Sequence, residues 1–365
     1  MSRVVHLHVG TAKSGTTWLQ HVMAQNRRLL ARHGYLYPGT RNSHFFASLS
    51  LRETGFKGHE YAAAEGEWER IAAEVRSFDG QALVSHETLA NAKPAQIATA
   101  VGSFPDAEVR VVITCRDLGR QLPAAWQERV KNRNEQTYED FLAAVRDGWN
   151  DGRPAPRATF WRGQQLVTLA ERWAGAVGVD RVTLVTVPPP GAEPDELWRR
   201  FARAVDAPEV DMDLEVRTSN TSLGTVETEL LRRLNGYLGE DVAWPRYERL
   251  VKHRLVKDEL APYELGGKFT LPEEERPWAE EIAGRMVEEL RAAGYPVVGD
   301  LDDLRPTYRG TATHPRDVGN DQLLELALRV LSSTAMRPLE SQSRPAPREA
   351  ARILARAVRR RLRLG

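Results

Sequence analysis

Apolar, β-branched runs recur along the chain and alternate with stretches whose apolar residues return every three or four positions. The clearest runs are 4–9 (Val4-Val5-His6-Leu7-His8-Val9), 81–85, 109–115 and 181–187. Each has the length and β-branched content of a strand buried on both faces. The helical period predicts helices at about 16–33, 94–103, 118–132, 137–147, 162–177, 193–205, 225–238 and 275–293. Strands alternating with helices predict an α/β fold in three layers, with a central parallel sheet between helices. Right-handed crossovers then bring the strand C-termini to one edge, where such folds bind ligands. The turns at 10–15, 85–88 and 115–118 are expected to face one cleft.

Periodicity fades in two places. Residues 35–60 are rich in Gly, His, aromatic and polar residues, and residues 148–160 are irregular. Both read as loops beside the cleft, suited to choosing a second substrate. The expected division is an α/β domain over 1–310, a helical extension over 311–336, a Pro/Ser/Arg linker over 337–347 and a basic C-terminal helix over 348–365. In that helix Ile353, Leu354, Ala357, Val358 and Leu362 form a modest apolar stripe among arginines. It reads either as a solvated terminal helix or as one making weak contact with an anionic membrane surface.

Composition narrows the picture. The 365 residues carry a net charge of only +1, which gives no general argument for nucleic-acid binding. The single cysteine, Cys115, excludes an intramolecular disulfide and fits a reducing compartment. No apolar run approaches membrane-spanning length and no secretory apolar segment opens the chain, so a cytoplasmic location is expected.

The chemistry begins at Gly10-Thr11-Ala12-Lys13-Ser14-Gly15-Thr16-Thr17-Trp18. A strand feeding a glycine-bounded loop that opens a helix makes a phosphate cradle, because loop amides and the helix N-terminus converge on the anion. The Gly-x4-Gly spacing is that of a P-loop. Yet Thr16 stands where a nucleoside triphosphatase needs lysine, and the lysine lies three positions earlier, at Lys13. A lysine there suits the bridging oxygen beyond a single 5′-phosphate better than a triphosphate tail.

The string Lys13-Ser14-Gly15-Thr16-Thr17-Trp18 closely resembles the 5′-phosphosulfate loop of sulfotransferases that use PAPS (3′-phosphoadenosine 5′-phosphosulfate), and the later Arg116-Asp117-Leu118-x-Arg120-Gln121-x-Pro123-x-x-Trp126-Gln127-Glu128 string resembles a version typical of actinobacterial members. The resemblance implies a P-loop NTPase-like three-layer fold. It implies that Lys13 contacts the bridging oxygen, that Ser14, Gly15, Thr16 and Thr17 bind the 5′-phosphate, and that Trp18 stacks on adenine. An arginine at the end of the third strand, with a serine eight residues on, holds the donor's 3′-phosphate in that family. Arg116 matches, but the later position is Ala124, and Arg120 is the nearest candidate to replace the serine. Trp126, Gln127 and Glu128 are candidates for the cleft floor. The product of the donor would be PAP, adenosine 3′,5′-bisphosphate.

Sulfonate transfer needs a base to take the acceptor's proton. The strand ending at Ser85 offers His86 and Glu87 side by side; family members use a histidine or a glutamate in this region, and both stay open here, with Glu87 slightly preferred. The implied reaction moves a sulfonate from PAPS to a hydroxyl or amine of a small molecule, sugar or lipid, by in-line transfer without a metal. The competing readings are a kinase or NTPase with a degenerate P-loop, and a catalytically silent nucleotide-binding protein.

Three further features carry less. His6 and His8 share a strand face and read as satisfied core histidines instead of metal ligands. Ser219-Asn220-Thr221-Ser222-Leu223-Gly224 reads first as a helix cap, with a cofactor-side role open. Gly266-Gly267-Lys268 reads as a plain turn, or as a stand-in for the family's C-terminal glycine-lysine loop.

Overall fold

The computed structural model describes residues 3–150, 153–154, 160–216, 222–239, 242–308 and 314–336. Its centre is a six-stranded sheet built from β1 (Arg3–His8), β2 (Tyr35–Leu36), β3 (Gln81–Ser85), β4 (Ala107–Cys115), β5 (Val182–Thr186) and β6 (Val297–Val298). The order is β2-β3-β1-β4-β5-β6 and every pairing is parallel. The four strands expected from the sequence are all present. The two-residue edge strands β2 and β6 were not expected, being too short to leave a pattern. Helices separate the strands: α1 (Thr16–Gln25), α2 (Phe45–Arg52), α3 (Glu67–Ser77), α4 (Pro94–Gly102), α5 (Leu118–Lys131), α6 (Tyr138–Asp147), α7 (Leu166–Val177), α8 (Glu196–Ala204), α9 (Thr225–Leu238) and α10 (Arg276–Ala293). This is the three-layer α/β class with a P-loop NTPase-like placement of the glycine-bounded loop, which leaves a central strand.

Parallel strands must hide both faces, and here they do. Val5, Leu7, Leu83, Val84, Val111, Val112, Ile113, Leu184 and Val185 are buried. Leu19, Val22 and Met23 of α1 pack with Leu83, Val112, Trp198 and Phe201 in one apolar cluster. Burial of this kind stabilises by about 25 cal/mol per Å² of apolar surface, and it fixes the height at which the β1 loop leaves the sheet.

Two expectations change. The helix expected over 16–33 breaks after Gln25, because the Asn26 side chain donates to the carbonyls of Val22 (2.8 Å) and Asp213 (2.8 Å) and ties the chain to a distant loop. Residues 35–60 are not simply a loop. They contain β2, α2 and a bridge between Phe56 and His59. Of the insertion at 148–160, Trp149–Asn150 pairs antiparallel with Arg153–Pro154.

The chain divides into two compact units, Met1–Leu323 and Leu324–Gly365. The first holds the sheet; the second, over its described part 324–336, is helical. The expected linker 337–347 and basic helix 348–365 lie outside the described residues, as do Ser219, Asn220 and Thr221. Among the described residues no helix is long and apolar enough to cross a membrane.

Candidate active site

The loop between β1 and α1 is fastened on every side. Thr11 donates its N–H to the Thr114 carbonyl at 2.7 Å. The carbonyl of Ala12 accepts from Gln121 (2.5 Å) and Gln164 (3.2 Å). The carbonyl of Lys13 accepts from Arg116 at 2.9 Å. Lys13 and Gly15 take left-handed backbone, with φ of 67° and 86°, a conformation glycine adopts at no steric cost. Ser14 closes a turn onto Thr11, and among the described residues the amide N–H groups of Gly15, Thr16 and Thr17 have no protein acceptor. A helix start that leaves its first amides unpaired is an anion cradle.

Sequence expectation assigned Ser14 to a phosphate, and the structure shows what its hydroxyl does here. It is fully buried and donates to the Thr11 carbonyl at 2.5 Å. It also lies 2.6 Å from Thr114 Oγ1, which is 3.1 Å from His8 Nε2. His8 Nδ1 is 2.8 Å from Ser85 Oγ, and Ser85 Oγ accepts from Gln20 at 3.3 Å. Gln20 donates its other N–H to Glu87 Oε2, also at 3.3 Å. One assignment of hydrogens satisfies the whole chain. Gln20 donates to Ser85, Ser85 to His8 Nδ1, His8 Nε2 to Thr114, Thr114 to Ser14, and Ser14 to Thr11. It requires neutral His8, and burial depresses the His8 pKa to about 3. A buried polar row thus links the loop to the expected base. His8, Gln20, Thr114 and Gln121 were missed as site residues; of these only His8 left a signal, since it stands level with Ser85 on the neighbouring strand.

His6, its strand-face partner, is also buried, with its pKa lowered to about 4, chiefly by burial. Neither of its ring nitrogens has a hydrogen-bond partner among the described residues, and Nε2 lies 3.8 Å from Asp206. Both are core histidines as expected; His8 is bonded through both ring nitrogens, whereas His6 is left with weaker contacts to Gln81 and Asp206.

His86 and Glu87 differ in what they have free. His86 Nδ1 accepts from the Thr88 N–H (3.2 Å) and lies 2.8 Å from Thr88 Oγ1. Neutral His86 then carries its proton on Nε2, 3.8 Å from Glu87 Oε2, and burial lowers its pKa. Its one lone-pair nitrogen is already used. For Glu87, burial raises the carboxyl pKa, but His86, its own backbone N–H, Gln20 and His8 outweigh that and leave it below the ordinary value. It is a carboxylate ready to accept. Glu87 rests directly on the loop: a Cβ added to Gly10 would stand 3.0 Å from both Cα and Cβ of Glu87. The strand end itself is held by His44, whose Nδ1 accepts from the Ser85 N–H at 3.0 Å while Nε2 donates to Pro38 at 3.0 Å.

Arg116 is partly buried. Burial and the neighbouring Arg120 lower its pKa to about 10, so it stays charged, and its Nε has no partner among the described residues. It pairs with neither Asp117 nor Glu128 there. Arg120 is bound to Asp117 and donates to the Pro188 carbonyl at 2.9 Å, so it is engaged in holding α5 to the turn after β5. Trp18 is half-buried against the cluster of Leu19 and Trp198.

The three residues named for the cleft floor separate. Trp126 is wholly buried and donates to the Gln136 carbonyl at 2.9 Å, so it belongs to the core. Gln127 clamps Leu223, donating to its carbonyl at 2.9 Å and accepting from its N–H at 3.2 Å. Glu128 does face the loop, 3.2 Å from Lys13 Nζ. Thr225 donates to the Gly267 carbonyl at 2.9 Å, which joins the start of α9 to the Gly266-Gly267 turn.

No protein-family model matches the chain, and no curated protein matches it. Among solved structures, a sulfotransferase from Alicyclobacillus acidocaldarius aligns at 16% identity and a TM-score of 0.40, over 69% of this chain and 96% of its own. A likeness that distant transfers no residue roles.

Proposed function

We propose that the protein transfers a sulfonate group from PAPS to a hydroxyl or amine of a small-molecule, sugar or lipid acceptor. One observation carries the reading: a cradle with unpaired amides, a lysine at its mouth in place of the P-loop position, and a carboxylate, Glu87, held by Gln20 and packed against Gly10 at the start of the same loop. A P-loop kinase would need its lysine at Thr16.

The residues present fit such a donor. The amides from Gly15 to Thr17 suit a 5′-phosphate, and the unpartnered Nε of Arg116 suits a second phosphate beside the loop. The half-buried Trp18 offers its indole to the adenine. PAPS supplies the activated sulfonate, whose bond to the phosphate oxygen breaks as the acceptor oxygen or nitrogen bonds to sulfur. Lys13 leaves Glu128 and places its ammonium against the developing charge on the departing oxygen. Glu87 takes the acceptor's proton, and Gln20 holds the carboxylate in place. Positioning and preorganised charge account for the acceleration.

Calorimetry with PAP, ATP and ADP, together with a PAPS turnover assay over an acceptor panel, tests the reading. The expected result is binding of PAP in preference to ATP and ADP, turnover of PAPS, and loss of transfer in Lys13→Ala with the melting temperature kept. Transfer at the wild-type rate in Lys13→Ala, or magnesium-dependent ATP turnover with no use of PAPS, overturns it.

A further inference from the structure

Charge is distributed unevenly along α5. At its N-terminal end stand Arg116 and Arg120. At its C-terminal end Lys13, Lys57, Lys131 and Lys252 come near one another, flanked by Arg129, stacked on Phe141, and by Arg133, which donates to the Val242 and Gly239 carbonyls. The two ends of α5 lie roughly 20 Å apart at 1.5 Å per residue; Lys13, whose carbonyl accepts from Arg116, is shared with the donor loop, while Lys252 reaches the far end from another segment.

Glu128 is the carboxylate bridged at the centre of this group. Lys13 Nζ lies 3.2 Å from Oε2, and Lys252 Nζ lies 3.1 Å from Oε1. Lys252 also donates to Asn132 Oδ1 at 2.6 Å, and Asn132 donates to Glu128 Oε1 at 3.1 Å. Burial raises the Glu128 pKa, and Lys13, Lys252 and Lys131 outweigh it, holding the carboxyl far below its usual range. The cations in turn feel one another. Burial and then Lys13 lower the Lys131 pKa to about 8, and burial followed by Arg129, Lys252 and Arg133 lowers that of Lys57.

Lys57 links this group to the base. It follows Phe56 in the turn closed by the Phe56–His59 bridge. Phe56 packs on Trp244 (5.5 Å between centroids) and on Phe45 (5.7 Å), and Phe45 packs on His86 (5.2 Å). An aromatic wall therefore runs from His86, the neighbour of Glu87, to the cations. The simplest competing account is the dipole of α5, whose C-terminus favours positive charge. That serves Arg129 and Lys131, which lie in its last turn, but not Lys57 or Lys252, which come from other segments.

We propose that this end of the cleft is an anion subsite for the acceptor, so that the molecule sulfonated carries a carboxylate, sulfate or phosphate besides its reacting hydroxyl or amine. Glu128 balances part of the charge, and the acceptor's acidic group supplies more. The choice of acceptor rests on the sulfonate-transfer reading; the anion subsite itself does not.

The test titrates the full chain, saturated with PAP, with matched acceptors: para-hydroxybenzoate against its methyl ester, and glucuronate against glucose. The acid of at least one pair should bind roughly tenfold tighter or more, as expected for a charge-assisted contact, and its advantage should shrink with salt. Lys57→Gln combined with Lys252→Gln should abolish the advantage while PAP affinity and melting temperature hold. Acids that bind no better than their neutral partners, including no binding by either, overturn the proposal. So does a double variant that loses affinity for PAP but not for AMP, since the lysines would then serve the donor's 3′-phosphate. Failure of the wild type to bind PAP rejects sulfonate transfer instead, and the same titration without PAP still decides the anion subsite.

Discussion

The two sides of the cleft are built from different forces. On the donor side, neutral buried groups are joined by short hydrogen bonds: Ser14, Thr114, His8 and Ser85 are each at most 1% exposed. On the opposite side, Lys13, Glu128 and Lys252 are partly exposed ion pairs, with side chains 25–33% accessible. Buried polar groups are costly to leave unpaired and insensitive to salt. Partly exposed charges are cheap to rearrange and are screened. A rigid cradle beside an adjustable charged wall suits the proposed transfer, in which one donor is bound and Lys13 has to leave Glu128.

The largest expected effect tests which strand-end residue belongs to the chemistry. Glu87→Gln should lower kcat by about 10²–10⁴-fold, the usual worth of a general base, with PAP affinity kept. His86→Gln should cost far less, because its acceptor nitrogen serves Thr88. Steady-state kinetics of the two variants checks this, and equal losses would remove the distinction.

Next comes Thr114→Val, which removes the hydroxyl between His8 and Ser14. It should lower unfolding free energy by about 1–3 kcal/mol through groups left unpaired. The loss should be the same at about 0.1 M and 1 M salt, where the Debye length falls from about 10 to 3 Å. Denaturant melts at the two concentrations read it. A loss that vanishes at high salt would erase the contrast between the two sides.

A further test is pH. His8, His44 and His6 have folded pKa values of about 3, 4 and 4, below the ordinary 6.5. Between those values and 6.5 the unfolded chain binds more protons than the folded one, so stability falls as pH falls through that window. Each histidine contributes a slope of up to about 1.4 kcal/mol per pH unit. Melting curves from neutral pH to about 4 should show it, and His44→Gln should flatten the slope.

Much of this was legible in the chain. β1, β3 and β4 are uninterrupted apolar runs because both sheet faces are covered, and the glycine-bounded loop follows β1 directly. The turns at 10–15, 85–88 and 115–118 were placed on one edge by topology, and contacts among Gly10, Glu87, Lys13 and Arg116 bring them together. Other features left no local mark. α2 was read as part of a loop because Pro38-Gly39-Thr40-Arg41-Asn42-Ser43 masks its start. Trp126 was placed at the cleft floor because one residue's depth on a helix depends on which face the neighbours cover. The partner of Lys13 proved to be Glu128, 115 positions away.

By itself the sequence determined the order of strands and helices, the cradle with its displaced lysine, and the short list of bases, since each depends on residues near one another in the chain. Only the tertiary structure decided how those groups are paired. It joined His8 to Ser14 through Thr114, occupied the His86 acceptor and left Glu87 open, and gathered lysines from distant segments around Glu128. Hydrogen bonds and ion pairs act over a few ångströms of space, and the distance along the chain does not encode them.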